Sequence, residues 1–143
     1  MDKRTRAREL AMQVICQLDV QGKDFFDYLG EFLLENEQDV KIRQSAMSWA
    51  KGVWENLAQC DKLIKQAALK WEMSRLSLVD KGILRLSVYH LNYCEDIPPK
   101  VIINEAIELA KKYSSLQAPK FVNGVLDAVF RKIVAQKSES QDD

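Results

Sequence analysis

The sequence is poor in the residues that mark catalytic, metal-binding and secreted proteins. It has one histidine and three widely separated cysteines, Cys16, Cys60 and Cys94, with no CxxC spacing. An odd number of scattered cysteines predicts reduced, mostly buried thiols in a cytoplasmic protein without a bound metal. The lone histidine, His90, has no neighbouring nucleophile, so we expect a packed residue and not a catalytic one.

Glycine-rich loops and long apolar runs are also missing. The chain has five glycines and three prolines, and it contains neither GxxxxGK[ST] nor GxGxxG, so no phosphate-binding loop is indicated. No apolar run approaches the ~20 residues that span a bilayer. The first apolar segment carries polar residues throughout, unlike a signal peptide. These absences argue against an enzyme, a cofactor-binding protein and a membrane protein.

What the sequence does contain is helical periodicity along nearly its whole length. In the first segment, apolar residues recur at i, i+3, i+4 and i+7 from Ala7 to Leu18, which predicts an amphipathic helix. Gly22 predicts its end, and Ser77 predicts the N-cap of a later, more apolar helix. We expect an all-α fold of about seven helices in residues 1–136 and a disordered tail at 137–143.

Three local signals refine this interpretation. Pro98 prevents a helix from continuing, and Pro99 suits the first turn of a new one. Asp61 is interpreted as an early-turn acid of the fourth helix. The dipeptide Asn123–Gly124 is a hairpin signal in isolation. Because its flanks have helical spacing, we interpret Gly124 as a close-packing position in a helix.

Charge is balanced in total but unevenly distributed. Four of the first eight residues are cations, whereas residues 24–39 hold six acids and no base. Cations at a helix start oppose the backbone dipole at a cost of a few tenths of a kcal/mol each, roughly. The cluster therefore indicates either a polyanion-binding site or a solvated, frayed terminus. The opposite patches suggest partners of more than one kind, or two solvated faces.

Four motifs together resemble one protein family. The segments are RARELAMQVICQLDVQ, LVDKGILRLSVYHL, IPPKVIINEAIELAKKY and KFVNGVLD. In this order and spacing they resemble the conserved blocks of the NusB family of transcription antitermination factors. The first is similar to the pattern R-x-x-A-R-E-x-A-x-Q-x-L-Y and the third to P-x-K-V-A-I-N-E-A-V-E-L-A-K. The resemblance covers about residues 4–134.

The resemblance implies an architecture and a function. It implies two packed three-helix subdomains, at about 1–75 and 76–136, without catalytic activity. It also implies binding of single-stranded boxA RNA in leader transcripts of ribosomal RNA operons, together with NusE, a small-subunit ribosomal protein. The pair would join an RNA polymerase complex that resists termination. Some family members form homodimers that cover the RNA surface, and the sequence leaves the oligomeric state open.

The resemblance also assigns site residues. The N-terminal cations match the family's arginine-rich RNA-contact motif. Two residues of the last helix match an RNA-facing aromatic residue and its neighbour. Asp80 matches an acidic residue that faces NusE. The RNA-contact positions are Lys3, Arg4, Arg6, Arg8, Lys120 and Phe121. Phe121 is either exposed for base stacking or packed in the core. The sequence departs from the family pattern at Thr5, where many members have arginine, and at Cys16, where others have tyrosine.

Two other functions fit the sequence less well. The amino-terminal domain of an rRNA cytosine methyltransferase shares this fold, so the chain could be an RNA-positioning module. Because no glycine-rich cofactor loop is present, it would have to act in trans. A helical scaffold without an RNA role is the third interpretation, and it predicts no RNA binding at low salt.

Overall fold

The computed structural model describes residues 2–141, which form seven α-helices and a 3₁₀ turn at Met73–Arg75. The all-α prediction is therefore confirmed. The helices are α1 (Lys3–Gln21), α2 (Lys23–Asn36), α3 (Val40–Glu55), α4 (Leu57–Ala67), α5 (Leu78–Tyr93), α6 (Pro99–Tyr113) and α7 (Ala118–Gln141).

Side-chain caps explain where several helices begin. The Ser77 hydroxyl accepts a hydrogen bond from the Asp80 N–H at 3.0 Å, as its sequence position predicts. Asp39 accepts from two N–H groups at the start of α3. Asp2 accepts from the Arg4 N–H at 2.7 Å at the start of α1. A carboxylate thus occupies the cap position of α1, and it offsets part of the cost of the cations that follow.

Two glycines are required by the backbone or by packing. Gly22 joins α1 to α2 with φ of 64°, a left-handed conformation that disfavours other residues. Gly52 of α3 lies directly against the Tyr89 ring of α5, and a Cβ atom there would collide with the phenol. These positions fix the turn between the first two helices and the close approach of α3 to α5.

The helices pack as two three-helix bundles with a shared core. Helices α1, α2 and α3 contact one another, as do α5, α6 and α7, and α5 also packs on α1 and α3. Buried residues of both bundles belong to one apolar cluster, among them Leu10, Val14, Ile83 and Leu84. Helix α5 is thus central, since it packs on helices of both bundles. In the described residues, no helix combines the length and apolarity required to cross a membrane.

Helix α4 bridges the two halves. It packs mainly on α5 and α7, although the boundary predicted near residue 75 assigns it to the first subdomain. Asp61 of α4 is not an isolated early-turn acid, because both of its oxygens accept hydrogen bonds from Arg85 at 2.9 and 3.0 Å. Arg85 also pairs with Asp19 of α1 at 3.1 Å. One arginine therefore joins α1, α4 and α5.

The end of the chain differs from its prediction. Helix α7 continues to Gln141, whereas the sequence predicts disorder from residue 137. Residues 142–143 lie outside the described part. Polar Ser, Glu and Gln residues can extend a helix that is already formed, because extension avoids the cost of nucleating a new helix. Lys137 also pairs with Glu95 at 2.7 Å, which attaches this extension to the end of α5.

Candidate nucleic-acid interface

Most of the N-terminal cations are neutralised within the chain. Lys3 lies 3.0 Å from the Asp39 carboxylate. Arg6 pairs with Glu9 at 2.6 Å and with Glu37 at 3.1 Å. These ion pairs connect the start of α1 to the link between α2 and α3. The sequence suggests either surfaces for different partners or two solvated faces. In the structure the basic N-terminus and the end of the acidic segment contact each other.

The electrostatics of these pairs favour the charged forms. Burial opposes the charge on Arg6, but hydrogen bonds to Glu37 and Glu9 outweigh it and raise the Arg6 pKa. Burial likewise opposes ionisation of Glu9, whereas hydrogen bonds from Lys112, Tyr113 and Arg6 lower its pKa overall. The Lys3 ammonium lowers the pKa of Asp39. An incoming phosphate would have to displace these carboxylates before it could contact Lys3 or Arg6.

Arg8 is part of the core and not of the surface. It is only 3% exposed, and its guanidinium lies 5.7 Å from the centre of the Trp49 ring. Its single salt-bridge partner in residues 2–141 is Glu105, at 3.9 Å. Burial lowers the Arg8 pKa, and its Nε and Nη2 atoms have no hydrogen-bond partner in this part of the chain. The phosphate contact expected of Arg8 stays a prediction, and the burial of its side chain does not favour it.

Only Arg4 of the four cations is exposed and outside an ion pair among residues 2–141. Its backbone N–H donates to the Asp2 cap, and the residue is exposed. The neighbouring Thr5 hydroxyl donates to Glu105 at 3.0 Å, so Thr5 joins α1 to α6. The N-terminal end of α1 thus offers one available cation to a phosphate.

His90 lies next to the Arg8 side chain in the core. It is 1% exposed, and its ring centre is 4.5 Å from that of Trp49, edge to face. Burial, and secondarily the positive charge of Arg8, lowers the His90 pKa to about 3. The histidine is therefore neutral at neutral pH and packed, as the sequence predicts. Among the described residues, no group of three His, Cys, Asp or Glu side chains could hold a metal ion.

A second candidate surface lies where the end of α4 meets α7. Phe121 is half-buried, and its ring meets the Trp71 ring edge to face, with 5.3 Å between centres. Phe121 is thus neither fully exposed nor part of the sealed core. Trp71 is 57% exposed, and Lys120 beside them is exposed. Trp71 follows directly on the helical pattern of the fourth segment in the sequence, but α4 ends at Ala67. Trp71 therefore lies outside α4 and packs on Phe121 of α7.

The Trp71–Phe121 pair separates two surface depressions. The one that we call the basic groove has a volume of about 410 Å³, and its lining includes two lysines and no carboxylate. The one that we call the Asp80 groove has a volume of about 200 Å³ and contains both acidic and basic groups. The basic groove is lined by Leu69, Lys70, Trp71, Lys120, Phe121 and Gly124; the Asp80 groove includes Arg75, Ser77, Asp80 and Gln117.

Asp80 is held in place at the start of α5. Its carboxylate accepts a hydrogen bond from the Ser114 hydroxyl at 2.6 Å, across the turn between α6 and α7. Its own N–H donates to the Ser77 cap. The side chain is half-buried. Asp80 therefore lines a different depression from Lys70 and Lys120, and the aromatic pair lines both.

Gly124 differs from its predicted role. The sequence interpretation makes it a close-packing position, but Gly124 is exposed, and a Cβ atom there would have nothing within 4 Å. Its φ is not positive, so neither packing nor backbone geometry within the described chain requires glycine. The residue lies inside α7 and lines the basic groove.

Comparisons with known proteins agree with the fold. The family model described as the NusB family matches residues 5–131. The transcription antitermination protein NusB of Syntrophus aciditrophicus is 38% identical over 141 residues, which cover 99% of this chain and 88% of that protein.

Solved structures show the same architecture. A structure of T. maritima NusB has a TM-score of 0.82 and 37% identity, and the match covers 92% of each chain. A crystal structure of the antitermination factors NusB and NusE in complex with double-stranded RNA has a TM-score of 0.79 and 27% identity. That match covers 92% of this chain and 98% of the solved one.

Proposed function

This chain belongs to the NusB family of transcription antitermination proteins, and we propose that it binds single-stranded boxA RNA together with NusE. The RNA would be that of leader transcripts of ribosomal RNA operons. The bound complex would join RNA polymerase in the cytoplasm and make it resistant to termination, with no catalytic step by this chain.

One structural observation carries the RNA-binding part of the proposal. The half-buried Phe121 and exposed Trp71 form an aromatic pair beside two lysines without ion-pair partners in residues 2–141. Single-stranded RNA is recognised by stacking of unpaired bases on aromatic rings, while cations contact its backbone. A NusB relative of the same fold has been solved with NusE and RNA, which supports the same partners for this chain.

The N-terminal cations have unequal roles in this proposal. We assign a direct phosphate contact to Arg4, which is exposed. Lys3 and Arg6 reach phosphates only by leaving Asp39 and Glu37, so they contribute less per charge. Arg8 supports the helix from inside, through Trp49 and Glu105. Of the four N-terminal cations, Arg4 would therefore contact RNA directly. Lys3 and Arg6 would do so only after leaving their carboxylate partners.

Asp80 is proposed as a NusE contact. Ribosomal proteins bind RNA and are commonly basic, so a fixed carboxylate offers such a partner a complementary charge. The hydrogen bond from Ser114 orients that carboxylate at 2.6 Å. The RNA and the protein partner would then lie on opposite sides of the Trp71–Phe121 pair.

The proposal is tested by titrating a labelled boxA oligoribonucleotide with the protein, with and without NusE, at two salt concentrations. We expect salt-sensitive binding that NusE tightens, because neutralised phosphates release counterions. Absence of binding at low salt in the presence of NusE would contradict it. Asp80→Lys should weaken NusE binding in calorimetry while the circular dichroism spectrum stays unchanged. Equal NusE affinity for this variant would place that interface elsewhere.

A further inference from the structure

We propose that the basic groove receives one unpaired RNA base stacked on the exposed face of Trp71, with Gly124 leaving space for the ribose–phosphate backbone. This inference rests on the proposed function, assigns the stacked base to the exposed face of Trp71 and adds Gly124 to the site. No sequence pattern assigns a ligand contact to Trp71, and Gly124 is interpreted from sequence as a packing residue. The argument depends on the Trp71 ring, the charge of the groove and the unexplained glycine.

The Trp71 ring is positioned to stack. Its edge-to-face contact with Phe121, at 5.3 Å between ring centres and 66° between planes, fixes its orientation. The residue nevertheless remains 57% exposed. An exposed, oriented indole is unusual, because burial of such a large apolar surface is normally favourable. A planar base stacked on the ring would cover it, and Phe121 would support the indole from the other side.

The charge of the groove selects an anionic ligand. Lys70 and Lys120 lie on its walls, and no carboxylate lines it. Neither lysine forms an ion pair within residues 2–141. An aromatic platform flanked by unpaired lysines matches the arrangement with which single strands are held. A purely apolar peptide would have no anionic group to pair with the two lysine ammonium groups, whereas the RNA phosphates would. The charge of the groove therefore favours RNA.

Gly124 supplies an independent observation. Glycine inside a helix costs ~1 kcal/mol relative to alanine, and the environment within this chain gives no reason for it. A Cβ atom at Gly124 would meet nothing within 4 Å. The missing side chain therefore leaves room for something outside the chain. Its position in the lining of the basic groove indicates close approach of the ligand backbone, a use to which glycine is suited.

The glycine part has a matched test. Gly30 is also an exposed glycine within a helix, α2, and a Cβ there would meet only the Met47 methyl at 4.0 Å. We compare Gly124→Ala and Gly124→Gln with Gly30→Ala and Gly30→Gln. All four variants should melt at or above the wild-type temperature, since each removes a helix-interior glycine. Only the Gly124 variants should bind the boxA oligoribonucleotide more weakly, with the larger loss for glutamine.

The tryptophan part uses a second pair. Trp71→Leu should reduce affinity for boxA RNA in the presence of NusE by about 5- to 150-fold, the range equivalent to ~1–3 kcal/mol per stacked base. Trp71→Phe should recover part of the loss, because it keeps a ring. Tyr28→Leu is the control, since it removes an exposed aromatic from α2. RNA should also quench tryptophan fluorescence in the wild type and not in Trp71→Phe.

Abasic substitutions in the RNA identify the stacked base. At one position, removal of the base should make Trp71→Leu and the wild type bind equally, because the coupled contact is already gone. Wild-type affinity in both Trp71→Leu and Gly124→Gln would overturn the inference and leave the proposed function intact. Failure of the wild type itself to bind RNA with NusE would overturn both.

Discussion

The N-terminal end of α1 and the basic groove show why charge in a sequence does not equal charge available for binding. The first region carries four cations, of which three are paired with carboxylates or buried. The groove has only Lys70 and Lys120, but neither is paired within residues 2–141. The region with fewer cations therefore offers more free charge. Accessible charge, and not the number of basic residues, decides where a polyanion binds.

The largest expected effect concerns Arg8, which the comparison places in the core. Arg8→Ala should lower the free energy of unfolding by about 2–3 kcal/mol, because truncation of a buried side chain leaves a cavity beside Trp49. Urea denaturation measures this loss. Arg8→Met should retain most of the stability, since it fills the space and removes donors that have no partner in the described chain.

The same pair of variants tests whether Arg8 contacts RNA. Arg8→Met should bind boxA RNA within about two-fold of the wild type, because a buried group makes no phosphate contact. A folded Arg8→Met protein with RNA affinity reduced ten-fold or more, roughly the value of a lost charged contact, would show that Arg8 leaves the core when RNA binds.

The next effect comes from His90, beside Arg8. Its pKa is lowered from 6.5 to about 3 in the folded protein, so the unfolded chain takes up the proton first as pH falls. The contribution of neutral His90 to the free energy of unfolding is therefore complete above pH 6.5 and is lost as pH falls toward 3. From about pH 7.5 to about pH 5, the free energy of unfolding should decrease by about 2 kcal/mol.

Urea titrations of the wild type and His90→Gln at a series of pH values measure this effect. The variant should show a much flatter profile in that interval, whatever its stability at neutral pH. The carboxylates with lowered pKa, such as Glu9, titrate below the interval. An equally steep decline in His90→Gln would show that another group is responsible.

A smaller effect on RNA binding distinguishes Arg4 from Arg6, which lie two residues apart in α1. Arg4→Ala should weaken RNA binding several-fold at low salt and decrease the slope of log K against log salt by ~0.7, the loss of about one single-strand phosphate contact. Arg6→Ala should change this slope little, because Arg6 is already neutralised by Glu9 and Glu37. Fluorescence anisotropy at four salt concentrations makes the comparison. Equal slope changes in the two variants would remove the distinction between free and paired cations.

The smallest effect would make a paired cation available. Glu37→Gln removes one carboxylate from Arg6 but leaves Glu9, so RNA affinity should increase about two-fold through partial release of positive charge. Anisotropy titration at low salt is again the measurement. Glu35→Gln, in the last turn of α2 and two residues before Glu37, is a control of equal charge change. Identical behaviour of the two variants would indicate that only net charge matters.

Local signals in the sequence predicted much of the fold. The helical periodicity, the Ser77 cap, the Gly22 turn and the Pro98–Pro99 break are all observed. Each depends on neighbouring residues and standard backbone preferences. The helical end of α7 was not predicted, because the polar composition of this segment indicates disorder when the segment stands alone. Here the preceding helix continues into it.

The site was less predictable because its properties depend on distant partners. Arg6 pairs with Glu37, 31 positions away in sequence, and Arg8 lies near Glu105 from another bundle. The hydrophobic periodicity of the sequence does not indicate which charged residues pair across helices. Trp71 was overlooked because its segment resembles the end of a helix, and its exposure arises from where α4 stops. Gly124 could be interpreted only after the space around it was known.

The most direct test compares the salt dependence of RNA binding for two double variants, Lys70→Ala/Lys120→Ala in the basic groove and Arg6→Ala/Arg8→Met at the start of α1. Each removes two cations, and the binding constant is measured with boxA RNA and NusE over a range of salt concentrations. The account predicts a slope smaller by ~1.4 for the groove variant, from two lost phosphate contacts, and nearly unchanged for the other. A large decrease for Arg6→Ala/Arg8→Met with none for the groove variant would contradict it.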